Sequence, residues 1–179
     1  SPLDLYAEGW IDFLCEIAVM VVRSSNGKDT VSYPAVNAIQ QNSICRIVLA
    51  PARNLSASLR NECETLAMAA IDSLGKGASG VFGVELFVTR SGKVLLNEVA
   101  PRPHNTGHYT QDACAISQFE NHLRAVTGLP LGSTELVVEA AASKYVRVGY
   151  LASRTLLLSL SLSLALSHLC LPCQHNFSS

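Results

Sequence analysis

Two periods run along this chain, one of two residues and one near 3.6, and their order predicts the elements. Residues 16–24 (EIAVMVVRS) form a β-rich apolar run, closed by Asn26-Gly27, a strong hairpin signal. The next strand is expected over residues 30–39, with Pro34 inside it marking an edge or a bulge. Residues 44–50 (ICRIVLA) give a third strand, so the first part reads as an antiparallel meander. Leu55, Leu59, Cys63, Leu66, Ala70 and Leu74 then recur at three- and four-residue steps. They predict a helix over residues 56–74, capped by Ser56 or Ser58 and closed by Gly75. Residues 81–89 (VFGVELFVT) and 94–99 (VLLNEV) are expected strands around Arg90-Ser91-Gly92-Lys93. Pro101 and Pro103 make the following stretch, APRPHNTGHY, irregular. A second helix is expected over residues 110–127, with Ile116, Phe119, Leu123 and Val126 on its apolar face and Gly128 and Pro130 stopping it. Strands and helices are grouped rather than alternating, so the class is α+β: an antiparallel sheet with packed helices.

The second hairpin carries the chemistry. With Ser91-Gly92 as its turn, Arg90 faces Lys93, and the same register sets Glu85 opposite Glu98. Their Cβ atoms would then lie about 4.5–5.5 Å apart on one face. Two carboxylates so placed among apolar neighbours repel each other. Either one holds a proton, or a cation bridges them, or both face solvent. An oxygen-only pair with Asn97 beside it suits magnesium, which takes one or two carboxylates plus substrate phosphates. Just beyond, a proline-stiffened loop presents Arg102, His104, Asn105 and His108. Such a loop suits an anionic or heterocyclic ligand; alternatively it only caps the next helix. Near the start, Glu8-Gly9-Trp10-Ile11 can offer backbone groups to a planar base, and Glu16 can accept ribose hydroxyls. The alternative for Trp10 is a core position. His122 reads as a surface or interhelical histidine.

Composition changes this picture at one end. Of 179 residues, 49% are hydrophobic and 15% charged, and Lys+Arg (13) nearly balance Asp+Glu (14). Such a balance lacks the electrostatic footprint of a nucleic-acid binder or a protein of anionic membranes. No Asp, Glu, Lys or Arg follows Arg154, where a Leu/Ser-rich run begins. Residues 1–145 therefore read as the folded part and residues 146–179 as a low-complexity, non-native or disordered tail. A membrane anchor is the alternative, but the apolar run falls short of the roughly 20 residues a span needs. Cys15, Cys45, Cys63 and Cys114 lie singly in apolar segments, as buried thiols of a reducing compartment do. Cys170 and Cys173 form one CxxC beside His168 and His175, without a second half-site for zinc. The acidic start, SPLDLYAEGW, has neither a signal pattern nor an initiator Met, so a fragment is expected.

The string NEVAPRPHNTGH, with EIAVMVVRS, Tyr33-Pro34 and APAR at residues 50–53, resembles the ATP-grasp module of the carboxyaminoimidazole ribonucleotide synthetases. In fungi and plants that module is part of phosphoribosylaminoimidazole carboxylase. The resemblance runs from about residue 6 to about residue 131 and covers the C-terminal half of the module. It implies a purine-synthesis reaction in which ATP and bicarbonate carboxylate aminoimidazole ribonucleotide. It also implies a cytoplasmic or plastid location and a homodimer of the complete enzyme. Carried over, Glu8, Gly9, Trp10 and Ile11 fall on the adenine hinge and Glu16 on the ribose acid. Glu85 and Glu98 fall on the magnesium ligands, and Asn97 with Glu98 on the nucleotide-contacting pair. Arg102, His104 and Asn105 fall on the loop that holds the imidazole nucleotide, with Arg102 and His104 catalytic. The chain departs from the family at Cys15, where a Lys is usual, at Asn37 and Gln40, where Glu and His are usual, and mildly at Thr106 for Ser. The family's Gly-rich phosphate loop, nucleotide-binding Lys and Rossmann-like domain have no counterpart before Glu8. An inactive product or an interaction module is the alternative reading.

Overall fold

The computed structural model describes residues 7–42, 44–144 and 156–158. Its organising strand is β1 (Phe13–Arg23), in which residues 17–23 are buried without a break. A strand buried on both faces needs cover on both, and two clusters supply it. Ile17, Val19 and Val21 pack under α1 (Ala57–Asp72) with Cys63, Ala67 and Ile71. Ala18, Met20 and Val22 pack on the other side with Tyr33, Tyr109, Ala113 and Ala125.

The sheet runs β6-β5-β1-β3-β4-β7-β8, antiparallel throughout, with β2 (Thr30–Ser32) paired to β1. Here β3 is Val36–Gln41, β4 Ile44–Ala50, β5 Gly80–Thr89 and β6 Val94–Ala100. At the far edge lie β7 (Ala141–Lys144) and β8 (Leu156–Leu158). The meander is as expected, but the strand expected over residues 30–39 is two strands. Tyr33-Pro34 interrupts it, because proline donates no ladder hydrogen bond. Tyr33 there turns into the core, and its hydroxyl donates to the carbonyl of Ile116 at 2.9 Å.

The first helix starts where expected: Ser56 Oγ accepts the amide of Leu59 at 3.1 Å. Its end is held by Arg23, buried at the tip of β1. The guanidinium donates to Asp72 at 3.2 Å and to the carbonyls of Gly75 and Ala78 at 2.7 and 2.8 Å. Thr30 Oγ1 donates to the same Asp72 at 2.6 Å.

The second helix differs from expectation. It is two pieces, α2 (Thr110–Ala113) and α3 (Gln118–Thr127). Residues 114–117 break it: Cys114 bridges Leu136, and Ala115 and Ile116 donate to the carbonyls of Glu135 and Ser133. Ser117 then caps α3 afresh through the amide of Glu120. The expected apolar face is also reversed. Phe119, Leu123 and Val126 are exposed, whereas Gln118, Asn121 and Ala125 are fully buried. Burial follows hydrogen-bond demand here. Asn121 donates to the Tyr33 hydroxyl at 2.8 Å and to the Gly132 carbonyl at 3.2 Å, and accepts from the Gly132 amide at 2.8 Å. The stretch expected to be irregular contains one 3-10 turn, Asn105–Gly107.

Cys45, Cys63 and Cys114 are buried free thiols and Cys15 is half-buried, and burial pushes the Cys45 and Cys63 thiols up to about 11. Apart from residues 156–158, the tail lies outside the described residues, including the CxxC and its histidines. No helix among the described residues is long and apolar enough to cross a membrane.

Arg23→Ala should lower unfolding free energy by about 2–3 kcal/mol, because it strands the carbonyls of Gly75 and Ala78 and leaves Asp72 with Thr30 alone. Urea denaturation of the two proteins side by side measures this.

Candidate functional site

The site grows from the β5–β6 hairpin. Glu85 does face Glu98, as expected, but the ladder reaches that pair by a different route. The turn holds three residues, Arg90 to Gly92. The amide of Thr89 donates to Lys93 O and that of Gly92 to Thr89 O, both at 2.9 Å. Gly92 takes φ +81°, the left-handed conformation that closes such a turn. From there the register is Val88 with Val94, Phe87 with Leu95 and Leu86 with Leu96. A bulge then adds Asn97 as an unpaired residue, and Glu98 falls opposite Glu85. Leu96, Asn97 and Glu98 are consecutively exposed, where a regular strand would alternate.

The partners of β5 set the face. Ala18 lies across from Glu85 and Glu16 across from Phe87, so Glu16 shares the face of Glu85 two residues along β1. Burial first, then the charges of Glu98 and Glu16, raise the Glu85 carboxyl from its ordinary 4.5 to about 7.

His104 comes to this pair from the loop after β6. Its Nε2 lies 3.8 Å from Glu85 Oε1, and the donor atoms of Glu85, Glu98 and His104 all fall within 4.8 Å of one another. Its backbone is clamped at both ends by the buried Gln118 amide. Gln118 Oε1 accepts the His104 N–H at 3.0 Å, and Nε2 donates to the His104 carbonyl at 2.8 Å. Nδ1 of the ring lies 2.8 Å from Thr106 Oγ1, and that hydroxyl donates to Met20 Sδ at 3.8 Å. The ring lies directly on Gly83, where an added Cβ would stand 2.6 Å from His104 Cβ. Burial, then the neighbouring Arg102 and His108, lower the His104 imidazole from 6.5 to about 4, so it is neutral at pH 7.

The other expected residues take less direct positions. Arg102 is exposed, and its Nη1 donates to the Pro103 carbonyl at 3.1 Å. Asn105 Oδ1 accepts the Thr106 amide at 3.0 Å. Both stay in the loop beside His104. Residues 8–11 precede β1 without regular structure, and Trp10 is 82% exposed, so it is not a core residue. This segment runs past the hairpin turn, where Asp12 lies 3.5 Å from Arg90. Of the departures from the family, Asn37 serves the local backbone, its Oδ1 accepting the Arg53 amide at 2.6 Å. His122 ties α3 to β5 rather than to another helix; its Nδ1 accepts the amide of Val81 at 3.1 Å.

Thr106 and Gln118 were not legible as site residues. The signal for Gln118 was its polar neighbour Asn121 one turn along the same helix. That stripe means a buried polar face only when the apolar face is known to be outside.

The chemistry available is cation binding by two carboxylates, one of them desolvated, beside a neutral imidazole. The two carboxylates fit a magnesium ion: the repulsion between half-buried Glu85 and exposed Glu98 is what a divalent cation would relieve.

Known proteins resemble this chain in sequence and in fold. Residues 1–119 match the model of the ATP-grasp domain. The chain is 53% identical over 127 residues to phosphoribosylaminoimidazole carboxylase of Ogataea methanolica, covering 71% of this chain and 23% of that protein. It is 45% identical over 130 residues to N5-carboxyaminoimidazole ribonucleotide synthase of Bacillus subtilis, covering 73% of this chain and 33% of that one. The structure resembles N5-carboxyaminoimidazole synthase of Aspergillus clavatus, solved with ADP and aminoimidazole ribonucleotide, at TM-score 0.73 and 40% identity. That match covers 79% of this chain and 37% of the other. The chain thus spans about a quarter to a third of the curated relatives it matches.

Without metal, Glu85 binds its proton more tightly folded than unfolded, so its contribution to stability is lost as pH rises from about 4.5 to about 7. Glu85→Gln should therefore gain on the parent across that window, by roughly 1–3 kcal/mol at pH 8 and by little at pH 4.5. Chemical denaturation in chelator at both pH values measures the gap.

Proposed function

The chain belongs to the ATP-grasp family, and from that premise we propose that it is the nucleotide-binding part of an enzyme that carboxylates aminoimidazole ribonucleotide with ATP and bicarbonate. The observation that carries this reading is the meeting of Glu85 and Glu98 with the Arg102–Asn105 loop at one place on the sheet.

In this reading Glu85 and Glu98 hold magnesium, which when bound would neutralise the ATP phosphates. Asn97 stands beside Glu98 to meet the nucleotide. The segment Glu8, Gly9, Trp10 and Ile11 borders the adenine, and Glu16, on the same face, accepts the ribose hydroxyls. Arg102, His104 and Asn105 orient the imidazole nucleotide. His104 suits that role because it is neutral and its Nε2 has no hydrogen bond among the described residues, which leaves that nitrogen open to the substrate. Gln118 and Thr106 hold the ring still, so the orientation is set before the ligand arrives.

The location in the cell and the homodimer belong to the complete enzyme and are part of the same proposal. A second reading, a chain that does not turn over ATP by itself, is favoured by one observation. Asn37, where the family usually has Glu, instead accepts the Arg53 amide, three residues before Gln40, which stands where the nucleotide-site His is usual.

Calorimetric titration of the chain with magnesium–ATP separates the two readings. Binding in the micromolar range supports a nucleotide site, and no heat at millimolar ligand supports the second. In a full-length relative, the change equivalent to Glu98→Gln should cut turnover by two or more orders of magnitude. Near-normal ATP hydrolysis there would sink the assignment.

A further inference from the structure

We propose that Glu85, Glu98 and His104 together form a mixed carboxylate–imidazole site that, in the absence of nucleotide, takes a divalent transition ion such as Co2+ or Zn2+ in preference to Mg2+. This rests on the reading of the two glutamates as cation ligands, and not on ATP chemistry.

Three observations carry it. First, the three donor atoms already lie within 4.8 Å of one another, and Glu85 and His104 are 3.8 Å apart. A tetrahedral ion at the usual bond lengths wants its donors about 3.3 Å apart. The Glu85–His104 pair is close to that spacing, and Glu98, exposed on β6, has room to swing in. Second, the imidazole presents the correct nitrogen. Thr106 Oγ1 lies 2.8 Å from Nδ1 and also reaches Met20 Sδ at 3.8 Å, so it can accept from Nδ1, and the proposed site uses the tautomer with the ring proton there. In that tautomer Nε2 carries the lone pair, with no hydrogen bond among the described residues, on a side chain only 8% exposed and 3.8 Å from Glu85 Oε1. An outer hydroxyl or carbonyl on the far ring nitrogen is the usual support of a histidine ligand. Third, the ring cannot easily turn away. Gln118 holds both backbone groups of His104, and Gly83 lies against its Cβ.

The choice of ion follows from the donors. Magnesium prefers six oxygens and keeps much of its water. Imidazole nitrogen favours the later first-row ions, and affinity rises toward them for a given nitrogen–oxygen set.

The test uses the full chain carrying Cys170→Ser and Cys173→Ser, so that the tail thiols cannot take the ion. Nucleotide-free protein is titrated with Co2+ and with Mg2+ by calorimetry, and the Co2+ adduct is examined by proton NMR. Co2+ should bind at least about a hundredfold more tightly than Mg2+. One exchangeable ring proton, that on His104 Nδ1, should move far outside the normal spectrum. His104→Ala should weaken Co2+ by about tenfold or more while Mg2+ changes less than about twofold, and Thr106→Val should weaken Co2+ by about tenfold. Equal affinities for the two ions, or a Co2+ adduct without a shifted ring proton, would overturn the proposal. The NMR readout needs no variant, so it decides even where His104→Ala does not fold. Co2+ binding with the shifted proton in a chain indifferent to magnesium–ATP would support this site and count against the proposed function.

Discussion

A half-buried carboxylate facing a second one is an arrangement a folded chain must compensate, and the architecture around Glu85 is organised by that need. The acid sits on β5, beside the strand with the longest unbroken burial, with Glu98 opposite and Glu16 two residues along the neighbouring strand. Of the basic groups nearest the pair, His104 is neutral and Arg102 turns to its own loop. Sites of this kind store electrostatic strain that a cation can release, and the two apolar layers are what keep it stored.

Those layers are fastened by polar groups rather than by apolar contact alone. On one side Arg23 ties the end of α1 to the end of β1 through Asp72 and two carbonyls. On the other side α3 turns its amides inward. Gln118 takes hold of the His104 backbone, and Asn121 takes hold of Tyr33 and Gly132. Directional bonds fix position more tightly than packing does, which matters for a ring that must point at two carboxylates. The cost is a helix whose apolar residues, Phe119, Leu123 and Val126, are exposed.

Much of this was legible in the sequence, and the failures share a cause. Strand identities followed from alternation and from turn residues, since both are local. The pairing of Glu85 with Glu98 was reached from a two-residue turn that the chain does not use. The true three-residue turn and the bulge at Asn97 shift the register in opposite senses, and the pair survives. The long second helix and its apolar face were misread because period alone does not tell which side is inward. That depends on what His104, Tyr33 and Gly132 ask of it across the fold. The APRPHNTGH loop was legible by its resemblance, whereas the clamp that holds it depends on a contact between residues fourteen positions apart.

The bulge in β6 also bears on how such a site could arise. Without Asn97 the ladder would run straight from Leu86–Leu96 to Glu85–Glu98, with both carboxylates already in place. Asn97 is thus a one-residue insertion that adds an amide next to a carboxylate and leaves every other pair in register. A regular hairpin could acquire it through a single in-frame codon, without first passing through a sheet whose faces had been exchanged.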